Sequence, residues 1–259
     1  MIRWCSYCQQ YMDEIEPFDD YSMTHSTCNA CYSTKIYADG ENTQKARKLA
    51  TFYSELRSCL RCRETNQFKV LLLHGLTLNL RPSDFIIGLM QPLMYEVGKL
   101  WGEGKIMVSD EHCFTRAISE TIGMVHTSLG DFQEFRQHRN PVLVLTTGSD
   151  NQHTLGLQFV ELVLMLNKIP TFTILESLSA KDLCDQLFLL KPKYLGLSLA
   201  VCSQFGKLVS YLEYLTQEPN LSKIQIVIGG SAVRWGSELL TSSRIKIFPT
   251  VQEFVASLA

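Results

Sequence analysis

The stretch Asn151-Gln152-His153-Thr154-Leu155-Gly156 joins a metal-competent imidazole to a glycine three positions later. It follows the apolar run Val142–Leu145 and opens a second, Leu157–Leu166. The first run reads as a strand and the second as a helix, so the six residues form a loop at the carboxyl end of a strand. That is where open α/β sheets bind their ligands. An imidazole there can ligate a metal held above the sheet, and the glycine lets a bulky, flat ligand approach the backbone. Two later segments have the same placement: Ser198-Leu199-Ala200, and Gly229-Gly230 after Ile226-Val227-Ile228. Taken singly, a histidine at a helix start is a local cap and a glycine pair is an ordinary turn. In order, at three strand ends, they suit a large cofactor with a long tail.

Cysteines form a second constellation. Cys5-x2-Cys8 and Cys28-x2-Cys31 flank a 19-residue insertion, which creates a tetrahedral thiolate site at a spacing close to that of zinc ribbons. Nine cysteines are an odd count and a poor disulfide framework, so clustering points to metal. His25 reads as a group beside the site or on the surface. Cys59-x2-Cys62 has no second pair nearby and reads as packing plus a surface thiol.

The elements that must position these residues fall into three blocks. Residues 1–40 are polar, aromatic and cysteine-rich, a zinc-ribbon-like module. Residues 42–130 read as a helical bundle, with helices over Glu41–Cys62, Asn66–Leu80, Pro82–Trp101 and Glu111–Leu129. Pro82 opens the third helix, Pro92 is placed to kink it, and Ser109-Asp110 caps the fourth. Residues 131–140 read as a linker. From 140 to 259 strands expected near 142–147, 170–175, 194–199, 225–229 and 245–248 alternate with helices near 154–168, 179–190, 205–217, 236–242 and 250–258. The fold class is therefore α/β: a four-helix bundle followed by a doubly wound five-stranded parallel sheet, plus the small N-terminal module. No Gly-x-Gly-x-x-Gly follows the first strand, which argues against a nicotinamide site, and no P-loop is present.

Composition narrows the function. Charged residues are 19% and the formal net charge is −2, which argues against direct nucleic-acid binding. No signal peptide or long apolar span is visible, so a cytoplasmic protein without membrane attachment is expected.

The three strand-end segments resemble the cobalamin-binding Rossmann-type domain, whose pattern is Asp-x-His-x-x-Gly, then Ser-x-Leu, then Gly-Gly. Here 28 residues, Val201–Ile228, separate the second element from the third. Asn151 stands where that family usually has a carboxylate, and Ala200 where it usually has leucine. Upstream, Val97–His112 resembles the helical cap of CarH-type photoreceptors, with Trp101 followed after nine residues by Glu111-His112. The resemblance covers about residues 66–259. It implies His153 as the lower cobalt ligand, with Asn151, Thr154, Leu155 and Gly156 around it. It implies Ser198, Ala200, Gly229 and Gly230 along the nucleotide tail, and Trp101, Glu111 and His112 around the adenosyl group. Gly102 stands where those photoreceptors can carry a histidine that binds cobalt after photolysis, leaving His112, His126 and His74 as candidates. The cysteine segments also resemble a short module found beside PAS sensor domains, which implies a structural zinc and a signalling context.

The expectation is thus a non-enzymatic light sensor that binds adenosylcobalamin and regulates a protein partner, a regulator or kinase, as a possible homo-oligomer. The alternatives are a corrinoid methyl-carrier subunit of a methyltransferase system and a haem or tetrapyrrole redox sensor on the same fold.

Overall fold

The computed structural model of the protein describes residues 1–34, 40–148, 151, 153–235 and 243–258. They divide into two compact units, Met1–Thr127 and Ser128–Ala259.

The first unit opens with three four-residue strands, β1 (Ile2–Cys5), β2 (Tyr11–Glu14) and β3 (Met23–Ser26), in the order β2-β1-β3. β1 pairs antiparallel with β2 and parallel with β3. A short helix, α1 (Asn29–Ser33), follows. The helices proper are α2 (Gly40–Cys62), α3 (Thr65–Gly75), α4 (Pro82–Phe85), α5 (Gln91–Gly102) and α6 (Val108–Ser128). On α2 the residues Ala46, Leu49, Phe52, Tyr53, Leu56, Cys59 and Leu60 are buried, the stripe expected of a helix with one face in a core. Cys59 is buried and Cys62 exposed.

α4 and α5 are not one straight helix. A π turn, Ile86–Met90, joins them, and the Gln91 N–H donates to Ile86 O. Pro92 explains why: it has no N–H to give to Gly88 O, the acceptor a regular helix would use. The interruption expected at Pro92 thus takes the form of a widened turn just before it. α6 also begins earlier than Ser109-Asp110 suggested. Asp110 accepts a hydrogen bond from Met107 N at 2.9 Å, so it caps from the third helical position rather than from outside.

The cysteine sheet is stitched to these helices. Trp4 is fully buried. It sits so close to Gly88 that a Cβ there would come within 2.6 Å of Trp4 Cζ2 and 2.8 Å of Tyr11. Tyr53 Oη donates to Tyr21 O at 2.9 Å. Glu96, 4% exposed, accepts from both Arg57 (2.5 Å) and Arg61 (2.8 Å); a carboxylate so deeply buried needs such pairing.

The second unit is a parallel sheet of β4 (Leu143–Thr147), β5 (Thr171–Thr173), β6 (Tyr194–Ser198), β7 (Gln225–Gly229) and β8 (Ile245–Ile247). The order is β5-β4-β6-β7-β8 with every pair parallel. The described helices are α7 (Leu155–Leu166), α8 (Ala180–Leu190), α9 (Phe205–Gln217) and α10 (Val251–Ala256). The helix expected near 236–242 lies outside the described residues.

Alternate strand residues serve opposite faces. Val144, Leu195, Leu197, Ile226 and Ile228 pack with Leu183, Leu187, Leu208 and Leu212 of α8 and α9. Leu143, Leu145 and Val227 pack with Leu157, Leu164 and Phe254 of α7 and α10. Burial on both faces explains why these strands read as continuous apolar runs. No described helix is long and apolar enough to cross a membrane.

Candidate functional site

In chain order the strands of the second unit lie 2-1-3-4-5, so connections leave in opposite directions from β4 and β6. The crevice at their carboxyl ends is the topological switch point, where such sheets bind ligands. Asn151 spans it. Its side chain is almost wholly buried, 2% exposed. Nδ2 donates to Ser198 O at 3.4 Å, and Oδ1 accepts from the backbone N–H of His153 at 2.9 Å. Thr147 Oγ1 donates to Asn151 O at 2.9 Å. The loop after β4 is therefore tied both to its own strand and to the end of β6.

The Asn151 side chain fixes the His153 backbone. The ring belongs to an exposed residue at the loop's outer end, which suits a ligand arriving from outside. Thr154 occupies the cap position of α7 in helical conformation without a side-chain capping bond, and Leu155 begins the helix. Next to it, Gly156 faces Ser198: a Cβ would stand 3.3 Å from Ser198 Oγ. The small residue keeps open the space beside the hydroxyl.

The glycine pair is built more tightly still. Leu199 N donates to Gly229 O at 2.9 Å, extending the β6–β7 ladder past its end. Gly230 then turns with φ +114°, and a Cβ on it would lie 2.2 Å from Leu199 O. No side chain fits, and the conformation itself favours glycine. Ser231 Oγ donates to Ala200 O at 2.8 Å and closes the turn. Ser198, Ala200, Gly229 and Gly230 are thus brought together on adjacent strands, and with Asn151 and Gly156 they form one continuous rim. Thr147 and Ser231 escaped sequence reasoning. The signal available was a hydroxyl at the last residue of a strand and another directly after the glycine pair.

Residues 56–125 match the family model of the B12 binding domain. The matched segment lies in the first unit, from within α2 to near the end of α6. The monomethylamine corrinoid protein of Methanosarcina barkeri superposes with a TM-score of 0.63 at 15% identity, over 80% of this chain and 97% of that one. That likeness shows a common fold: helices plus a five-stranded parallel sheet of the cobalamin-binding Rossmann-like type. Two further solved structures superpose more weakly. A cobalamin-binding protein from Desulfitobacterium hafniense DCB-2 has a TM-score of 0.40 at 13% identity, covering 80% of this chain and 96% of that one. The methanol:cobalamin methyltransferase complex of Methanosarcina barkeri gives 0.38 at 15%, covering 95% and 91%. No curated protein sequence matches the chain.

Within the matched segment, Trp101 ends α5 with half of its surface exposed, 50%, so it is not a core residue of its own unit. Glu111 closes the first turn of α6 and His112 follows it. Glu111 Oε1 accepts from Thr115 Oγ1 at 2.7 Å, which holds one carboxylate oxygen along the helix, and Oε2 lies 3.8 Å from His112 Nε2. Of the other bundle histidines, His74 is exposed and packs edge-on against Phe52. His126 is buried, out of reach of an external metal.

The four N-terminal cysteines converge as well. The sulfurs of Cys5, Cys8, Cys28 and Cys31 all lie within 4.8 Å of one another. Cys28 N donates to Cys5 Sγ at 3.4 Å and Cys31 N to Cys28 Sγ at 3.5 Å. Burial opposes ionisation of Cys5, but N–H donors from Cys28, Cys8 and Tyr7 outweigh it and bring the thiol down to about 6. Burial and the neighbouring sulfurs push Cys8 up. Four thiolates at this range repel one another unless a cation joins them.

Proposed function

We propose that the protein binds cobalamin, in its adenosyl form, as a light sensor acting on a protein partner. The observation that carries the cobalamin part is the rim at the switch point: an exposed His153 whose backbone is pinned by a buried amide, beside a glycine turn that admits no Cβ. An imidazole suits cobalt as a borderline nitrogen donor, and a turn made of bare backbone suits a nucleotide tail. The match to the B12 binding domain supports the same ligand.

In this reading His153 is the lower ligand, and Asn151 holds the loop so that little ordering remains when the metal binds. Ser198 supplies a hydroxyl to the tail, and Gly156, Gly229 and Gly230 keep its path clear. Trp101, Glu111 and His112 are assigned to the upper ligand, the indole by area and the other two by hydrogen bonding. When bound, adenosylcobalamin supplies a cobalt–carbon bond that visible light can break. Non-enzymatic sensing is supported by the resemblance of Trp101 and, after nine residues, Glu111-His112 to the cap of CarH-type photoreceptors.

A second reading, a corrinoid carrier in methyl transfer, is favoured by the likeness to the monomethylamine corrinoid protein. Reconstitution with adenosylcobalamin tests both. For the sensor, green light is expected to change the absorption spectrum together with the shape or oligomeric state, and His153→Ala to change the cobalt spectrum in the dark. Unchanged spectrum and affinity in His153→Ala overturn the ligand assignment. A wild type that binds adenosyl- and methylcobalamin alike, with no structural response to light, leaves the carrier.

A further inference from the structure

We infer that Cys5, Cys8, Cys28 and Cys31 hold one zinc ion, and that this ion keeps the cysteine sheet seated on the π turn of the helical unit. The inference does not depend on cobalamin binding. Four thiolates around zinc, with Zn–S near 2.3 Å, place neighbouring sulfurs about 3.8 Å apart. Cys8 and Cys28 stand at 3.8 Å, and the whole set lies within 4.8 Å. That is closure on an ion; a disulfide would bring two sulfurs to about 2.05 Å and leave the others unmatched.

The local chain is shaped for the task. Cys5 ends β1 and Cys8 follows a tight turn, with the Gln9 backbone in the left-handed region at φ +56°. Cys28 is the cap of α1, its sulfur accepting from Cys31 N, and Cys31 is buried in that helix. Backbone N–H groups thus already point at two of the sulfurs.

A four-thiolate zinc site carries net negative charge, and a cation stands nearby. Arg81, which pairs with buried Asp84 at 2.7 Å, is close enough to Cys8 and Cys28 for negative charge on them to favour its own. Asp84 in turn accepts from the Tyr11 backbone, so the cysteine sheet and α4 share one polar link.

The seating follows from size. Three strands of four residues and a five-residue helix bury too little to fold alone, and modules of this size rely on a metal or on docking. Trp4 is the docking residue. It is the neighbour of Cys5, and it fills the space that the absent Cβ of Gly88 leaves in the π turn. Fixing Cys5 fixes Trp4.

The test uses full-length protein expressed with zinc and without cobalamin, carrying Trp101→Phe and Trp235→Phe so that Trp4 alone fluoresces. Elemental analysis and native mass spectrometry are expected to find one zinc per chain. Stripping it with acid or a strong chelator should shift Trp4 emission to the red, and returned zinc should reverse the shift. Cys8→Ser, at an exposed position, should cut zinc retention at least tenfold. No zinc, stoichiometric iron, a disulfide, or four freely reactive thiols in the folded protein would each overturn the site. Zinc that leaves without moving Trp4 emission would overturn the seating. The metal count on the unmutated cysteines stands even if Cys8→Ser does not fold.

Discussion

Replacing Asn151 by Asp keeps the side chain's shape and exchanges its amide donor for an ionisable oxygen. The new carboxylate can still accept from His153 N, as Oδ1 does now at 2.9 Å, but it cannot donate to Ser198 O. The position is 2% exposed, so water will not replace the lost donor. A buried acceptor left without a partner, facing a second oxygen, costs about 1–3 kcal/mol, or about 5- to 150-fold in an opening equilibrium. Burial next to a carbonyl must raise the new group's pKa in the folded state above its unfolded value of about 3.9. The folded variant therefore holds its proton longer. Its deficit against wild type is small near pH 4, where the protonated carboxyl can donate to Ser198 O, and grows as pH rises through the folded pKa. Hydrogen exchange read by mass spectrometry on peptides of β4 and β6 checks this, with both proteins compared at pH 4 and pH 8. Equal protection at pH 8, or a deficit that does not shrink at pH 4, would refute the account of Asn151 as the bridge across the switch point.

Gly230→Ala should lower the urea midpoint of the second unit and weaken cobalamin binding: positive φ alone costs about 1–3 kcal/mol, and the overlap with Leu199 O adds to it. Gly229→Ala is the control. Its Cβ would meet Phe248 O at 3.4 Å, an ordinary contact, so a midpoint shift as large as that of Gly230→Ala would argue against the steric explanation. Trp101→Ala should cost no more than about 2 kcal/mol of stability, since half of the side chain is already exposed. The same change should lower the preference for adenosyl- over methylcobalamin in binding titrations. A preference equal to wild type's would remove Trp101 from the upper-ligand assignment.

Much of the fold was legible because both strand faces are buried. Leu143–Leu145, Leu195–Leu197 and Ile226–Ile228 are apolar at every position or nearly so, and Thr, Ser or Gly marks where each run stops. The glycine rule also carried over to the site, since Gly230 is demanded by backbone geometry alone. What the sequence did not show were partnerships between residues far apart along the chain. The resemblance placed Asn151 beside His153 but did not name what it bonds. Its actual partners are the His153 backbone and a carbonyl on another strand. The docking of Trp4 on Gly88 was likewise invisible, since neither residue signals the other and the π turn between α4 and α5 has no 3.6-residue signature.

That turn bears on how the chain tolerates changes in length. A π turn holds one residue more than the α turn it replaces, and each helical residue advances the side-chain direction by about 100°. A helix drawn straight from Pro82 to Trp101 would therefore point the indole about 100° away from where it stands. Ile86, Ile87, Leu89 and Met90 are all buried, as expected where a swollen turn presents every side to a core. The segment behaves as a shorter regular helix into which one residue has been inserted and absorbed. Removing a single residue here, other than Gly88, would take out the insertion and leave Trp101 on its present face, with Pro92 still leaving one carbonyl of the preceding turn without its donor. The same deletion anywhere between Gln91 and Leu100 would swing it around.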